Sequence, residues 1–306
     1  MIETLIHMIG LIACGIAWQL FGSGTIDNNI SRKVLTDFVY FLFLPALVLI
    51  VLWQAPLGID SLRISFVAAT NIIVWVIISW IVYRLLHSPK QISGALILAA
   101  TFPNATYLGL PVLENTLGKW ARSIAIQYDL FACTPLLLTI GILIAKAHGE
   151  SRIIESPFVT LAKIPALWAA IIAIFLNLYQ VSIPSPLLAL LDSLSSAVVP
   201  LMLIALGMSL QLKTLRWHML PLLLPVVIIQ LILMPLLALI LARSTGLAEN
   251  NLVAVVLEAA MPSMVLGIVI CDQFKLDTEF FASAVTLSTA LSLVTLPIWF
   301  NVLISL

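Results

Sequence analysis

Charge is what this sequence has least of. Only 9% of its 306 residues are Asp, Glu, Lys or Arg, against about 25% in a soluble domain. Hydrophobic residues make up 62% and the mean hydropathy is +1.17, more apolar surface than a single soluble core can hide. Fourteen Lys and Arg balance fourteen Asp and Glu, so there is no basic surface for nucleic acid. Cysteine is also scarce. Cys14, Cys133 and Cys271 are scattered along apolar runs, too few and too far apart for a disulfide framework or a zinc site. No G-x-x-x-x-G-K-[ST] loop occurs, so ATP does not power this chain directly. Neither H-E-x-x-H nor G-x-S-x-G is found, and His7, His87, His148 and His218 lie on separate segments. Without a nucleophile–base set the chain does not read as an enzyme, and no cofactor is expected beyond a coupling ion. A signal peptide needs a positive start; here Glu3 is the only charge before His7, so the first apolar run is expected to stay. The solvent for this chain is lipid.

A helix crossing roughly 30 Å of hydrocarbon needs about 20 apolar residues, and polar or Pro/Gly clusters mark the loops. Ten such runs are present, at 4–21, 34–54, 64–86, 92–117, 122–146, 164–181, 187–210, 217–241, 250–272 and 279–304. The longest polar stretch, 147–163, separates the fifth from the sixth and is too short for a soluble domain. Positive residues set orientation. Loops after odd-numbered spans hold ten: Arg32, Lys33, Arg84, Lys90, Lys146, Arg152, Lys163, Lys213, Arg216 and Lys275. The opposite face holds four: Arg63, Lys119, Arg122 and Arg243. Both termini are therefore expected outside and the 147–163 loop in the cytoplasm.

The halves repeat each other. LTDFVYFLFLPALVLI from Leu35 superposes on LLDSLSSAVVPLMLIA from Leu190 with an offset of 155, pairing Asp37 with Asp192 and Pro45 with Pro200. Further on, an offset of 159 pairs Asn71 with Gln230, Pro103 with Pro262 and Asn104 with Ser263. The expected organisation is an all-α polytopic membrane protein: a five-helix repeat over 1–146, a cytoplasmic linker over 147–163, and a second repeat over 164–306. Five is odd, so the repeats have opposite topology, as in secondary transporters.

Spans four and nine carry Pro103-Asn104 and Pro262-Ser263 in mid-run. Proline removes a backbone donor and disfavours helix at the residue before it. Pro45, Pro135, Pro200, Pro225, Pro235 and Pro297 read as ordinary kinks. Pro103 and Pro262 differ, because a small polar residue follows each and they match in the repeat. If both helices unwind, their half-helix ends meet near the midplane. N–H groups near Ala105 and Met264 then attract an anion, and the carbonyls of the first halves attract cations. Unwound backbone at that depth survives only around a protein-lined cavity. The pair reads as a binding site.

Residues 103–118 (PNATYLGLPVLENTLG) resemble the fourth-helix signature of the auxin efflux carrier family, and LEAAMPSMVLGIVICDQF through VTLSTALSLVTLP resembles its closing segment. The short central loop is similar to the prokaryotic members. The resemblance implies ten helices, with spans 1, 2, 6 and 7 as a scaffold that can dimerise and spans 3–5 and 8–10 as a mobile transport domain. It implies elevator-type exchange of a small organic anion, auxin-like or malonate- or malate-like, across a bacterial inner membrane. An uncoupled uniporter or an anion channel of the same fold is the alternative. The expected substrate residues are Pro103, Asn104, Ala105, Tyr107, Gln127, Asp129, Pro262 and Ser263.

Glu258 lies inside span nine, where a lone acid costs roughly 2.5–3.5 kcal/mol. It either takes a coupling cation, Na⁺ or H⁺, with Asn104 and Gln127, or it is a hydrogen-bonded structural acid. More distantly, bile-acid sodium symporters resemble the chain here, with a Glu before the ninth-helix break; their further polar residues are absent from Met261-Pro262. Asn71 and Gln230 serve either as ligand contacts or as interhelical hydrogen bonds. Asp37 and Asp192 read as acids favouring the starts of spans two and seven.

Overall fold

The computed structural model describes residues 2–21, 27–150, 157–210 and 216–305; Arg152 and Lys213 of the charge count lie outside them. Among the described residues the architecture is helical throughout, with one isolated antiparallel bridge, Pro103 to Ser263. Six helices are long and apolar enough to cross a membrane: Ile30–Gln54, Ile59–Leu85, Lys119–His148, Ser185–Ser209, Trp217–Ser244 and Thr278–Ser305. Ile6–Phe21 and Pro165–Leu178 are shorter apolar helices.

The runs at 92–117 and 250–272 are not continuous. Lys90–Thr101 ends at Phe102, and helix resumes over Ala105–Gly109 and Leu110–Leu117. Glu249–Ala259 ends at Ala260 and resumes at Gly267–Gln273. Both breaks fall where a proline forbids the next helical hydrogen bond.

Other prolines leave the helix unbroken and widen it. The π-helical turns Val39–Phe43, Ala105–Gly109, Asp129–Cys133 and Ile229–Leu233 each end two residues before Pro45, Pro111, Pro135 and Pro235. A proline ring collides with the carbonyl four residues earlier, and a wider turn moves that carbonyl aside. Pro225 and Pro297 sit inside helices with no such turn. The dipole role read for Asp37 and Asp192 does not hold, because the helices begin earlier, at Asn28 and Ser185, and both acids lie well inside.

Two packing groups emerge. In one, Ile2–Phe21 packs along Val198–Ser209, and Leu44–Gln54 packs along Pro165–Leu178. The first pair meets through Gly15 and Gly207, where an added Cβ would strike the backbone carbonyl of Ile204 or Ile12. The second meets through buried Ala166, Ala170 and Ala173. Small residues let helix backbones approach where lipid supplies no hydrophobic drive. The Asn177 side chain ties off the end of Leu44–Gln54, donating to the carbonyls of Trp53 and Ala55 at 2.8 Å each. The other group gathers Ile59–Leu85, Trp217–Ser244, Thr278–Ser305 and the two broken helices. Residues 93–105 and 253–264 are all buried, so both prolines and the backbone around them are enclosed by protein, as such backbone must be in a membrane, and only the end of the second break, at Leu266, is exposed.

Candidate functional site

The two breaks are stitched together by backbone. The Asn104 N–H donates to the Pro262 carbonyl at 2.8 Å, and the Met264 N–H donates to the Phe102 carbonyl at 3.0 Å. Side chains from neighbouring helices secure the same strands. Gln230 Nε2 donates to the Met261 carbonyl at 2.9 Å. The Ser263 N–H donates to Ser288 Oγ at 3.2 Å, and that hydroxyl contacts Ser263 Oγ at 3.1 Å. Gln230 stands in the π-turn before Pro235, so a proline several residues away sets the direction of this amide.

This stitching changes which donors are free. The N–H groups expected to meet an anion at Ala105 and Met264 are both used, Ala105 on the Pro103 carbonyl at 2.9 Å and Met264 on Phe102. The second half of the ninth-run break starts at Gly267, three residues later than the sequence suggests. Among the described residues, the N–H groups of Thr106 and Tyr107 carry no backbone hydrogen bond.

Glu258 is fully buried, and among the described residues neither carboxylate oxygen has a hydrogen-bond partner. It presses on Gly109: a Cβ there would fall on the carboxylate. The Asn104 side-chain nitrogen is likewise buried and unpartnered. Buried polar groups are nearly always bonded in folded proteins, and these two orphans flank the pair of helix breaks. Asn71 and Gln230 are both fully buried; Gln230 is bonded through Nε2, and the Asn71 amide lies beside the buried Tyr128 hydroxyl.

Gln127 and Asp129 part company. Asp129 accepts from Thr106, and its other oxygen accepts from Thr134 Oγ1 at 2.9 Å. Gln127 instead lines a cavity of about 720 Å³, with its Oε1 unpartnered among the described residues. That cavity is walled by Ile50, Val51 and Gln54, by Leu188 and Asp192, and by Arg122 and Asn251. A second cavity, of about 580 Å³, is walled by Lys33, Asp37 and Tyr40, by Ala205, Leu206 and Ser209, and by Tyr107 and Val265 beside the breaks. The first lies at the late end of Ile30–Gln54 and the early end of Ser185–Ser209; the second lies at the reverse ends. The cavities therefore open toward opposite ends of the molecule, and both lie between the two packing groups. Five wall positions pair at an offset of 155: Lys33 with Leu188, Asp37 with Asp192, Ile50 with Ala205, Val51 with Leu206, and Gln54 with Ser209.

Residues 2–300 match the family described as membrane transport protein. The chain belongs to this family, that of the auxin efflux carriers. An uncharacterized transporter of Methanothermobacter thermautotrophicus is 30% identical, with 98% of each chain covered. The uncharacterized transporter MJ1031 of Methanocaldococcus jannaschii is 25% identical, with 97% of each covered. The Escherichia coli uncharacterized transporter YfdV is 24% identical over 78% of each. The protein is thus a multi-pass membrane transporter.

For this member of the membrane transport protein family, sequence reasoning missed Gly109, Thr106, Thr134 and Ser288. Gly109 stands within the family-like motif, but its contact with Glu258 has no local signal. The three hydroxyls are single small residues in apolar helices, indistinguishable in sequence from packing residues.

Proposed function

We propose that the chain is a secondary carrier of a small organic anion that works by elevator-type alternating access. In this reading it crosses the membrane ten times as two inverted five-helix repeats. The six long helices supply six crossings, the two shorter apolar helices two, and the two broken helices two. The group around Ile2–Phe21 and Pro165–Leu178 is the scaffold, and the group holding the breaks moves. Both termini face outward across a bacterial inner membrane, and the scaffold is the natural dimer surface.

The observation that carries the reading is the pair of cavities. They occupy opposite ends of one interface, and the offset that aligns the two halves of the sequence also aligns their scaffold walls. An inverted repeat allows two such vestibules to be exchanged by sliding one group past the other. The substrate carboxylate sits at the breaks, held by the Thr106 and Tyr107 N–H groups and the Asn104 amide. Backbone donors in a water-poor enclosure bind an anion strongly because they need no reorganisation. Tyr107 faces the second cavity and Gln127 the first, so each is met from one side. Glu258 takes the coupling cation. An enclosed carboxylate with no hydrogen bond demands a positive partner or a proton. A proton neutralises it alone, whereas Na⁺ requires further oxygens, for which Asn104 and Gln127 are the candidates.

A thermal-stability screen of the purified protein against small mono- and dicarboxylates, with and without Na⁺ and at two pH values, tests this. A ligand at about 100 times its dissociation constant adds roughly 2.7 kcal/mol. Stabilisation by a carboxylate that depends on Na⁺ or pH, with the dependence lost in Glu258→Gln, supports coupling. Equal stabilisation of both proteins in every condition makes Glu258 structural and the protein a uniporter or channel.

A further inference from the structure

Away from the breaks, a cavity of about 200 Å³ opens at the junction of Ile59–Leu85 and Lys90–Thr101, lined by Trp80, Arg84, Ser88, Lys90, Ser93 and His148 together with Tyr83 and Ile97. Its lining is cationic, and no acidic side chain among the described residues takes part. Neither Arg84 nor Lys90 forms an ion pair among the described residues. Arg84 lies over the Trp80 ring, 5.2 Å from its centroid, which holds the guanidinium beside the cavity, and it makes no side-chain hydrogen bond among the described residues. Ser88 Oγ is buried and has no partner among the described residues. Ser93 Oγ donates to the Ser88 carbonyl at 3.1 Å, bracing the turn. Lys90 opens a twelve-residue helix, whose first-turn N–H groups add positive potential. Two acids approach through Gln91, Glu150 by accepting from its amide at 3.3 Å and Asp277 by donating its backbone N–H to the Gln91 carbonyl at 3.3 Å, and neither lines the cavity.

Position decides what such a cavity meets. Ile73, Ile77, Trp80 and Ile81 are exposed along one face of Ile59–Leu85, and Arg84 continues that face in the helix's last turn. A long outward apolar stripe ending in Trp and Arg marks the edge of the hydrocarbon. Two unpaired cations, a free hydroxyl and a helix start at that level fit a phosphate.

We propose that this cavity is a phosphate-binding site filled from the bilayer by the head group of an anionic phospholipid. The Arg84 guanidinium and the Lys90 ammonium pair with the phosphate oxygens, and Ser88 Oγ donates to one of them. The acyl chains lie along the Ile73–Ile81 stripe. The site is independent of the transport reading, since it touches neither the breaks nor the two larger cavities.

The test is native mass spectrometry of delipidated full-length protein titrated with phosphatidylglycerol or phosphatidylcholine, and separately a melting curve with inorganic phosphate alone. Phosphatidylglycerol is expected to bind preferentially. Arg84→Gln combined with Lys90→Gln weakens it roughly thirtyfold, as loss of two surface cations implies, while Arg216→Gln, an exposed cation elsewhere, leaves it unchanged. Should the double variant fold poorly, Ser88→Leu fills the cavity without removing charge and gives the same loss. Stabilisation by inorganic phosphate alone, lost in the same variants, upholds phosphate recognition and overturns the bilayer as its source. Anionic-lipid preference that survives both the double variant and Ser88→Leu, or that Arg216→Gln weakens equally, overturns the site.

Discussion

Glu258 and Gly109 compete for the same few cubic ångströms. Gly109 has φ of −62°, ordinary helix that any residue adopts, so its lack of a side chain answers a neighbour and not the backbone. Gly109→Ala places a methyl group against the carboxylate and is expected to cost about 1–3 kcal/mol, as overpacking does. Glu258→Ala removes the obstacle, and the double variant recovers most of that loss. A double-mutant cycle by thermal unfolding measures the coupling; simple additivity would mean that the two side chains do not meet. Glu258 itself was legible in the sequence, because an acid in an apolar run is costly and conspicuous. Gly109 was not, since a glycine in a helix reads as a weak point until its neighbour is known. Asp129 lay between these cases: its burial could be guessed, while its two threonine partners, 23 residues before and 5 after, could not.

Prolines organise the elements. Two of them break helices, and four follow π-turns, yet the sequence presents each as a proline in an apolar run. What separated Pro103 and Pro262 was the small polar residue after each and their match in the repeat, and at both positions helix stops. The widened turns were illegible, because a kink, a π-turn and an undisturbed helix such as the one through Pro297 share the same local sequence. The turns have consequences at the site. Pro235→Ala allows the Ile229–Leu233 turn to tighten to α-helix and rotates Gln230 away from the Met261 carbonyl. One buried hydrogen bond contributes about 1 kcal/mol and a restored helical bond offsets it, so stability stays nearly constant. Transport falls on the order of tenfold, the rate equivalent of about 1.4 kcal/mol. A melting curve alongside initial transport rates checks this, and a variant that melts normally and transports normally removes Gln230 from the machinery.

The whole molecule joins two helix groups around one pair of breaks, with a cavity toward each end. Part of this could be read from the sequence: the long apolar runs and the prolines at which two of them break. The grouping of helices was not contained in those patterns, because the choice of neighbour depends on close approaches such as Gly15 to Gly207, which look like any glycine in a membrane helix. The opposite placement of the cavities is testable without knowing the substrate. In a Cys14→Ser background, Gln54→Cys and Ser209→Cys should react with a membrane-impermeant thiol reagent from opposite faces of sealed vesicles. Reaction of both from the same face would contradict the inverted arrangement.

Counterflow in proteoliposomes probes the proposed carrier activity most directly. Vesicles loaded with a carboxylate that stabilises the purified protein are diluted into a trace of the same labelled compound. A carrier accumulates label transiently above equilibrium, saturates with outside concentration and slows when the inside is empty, and Glu258→Gln loses any dependence on a proton or Na⁺ gradient. Label that only equilibrates, at a rate linear in concentration and indifferent to the inner contents, would contradict alternating access and identify a pore.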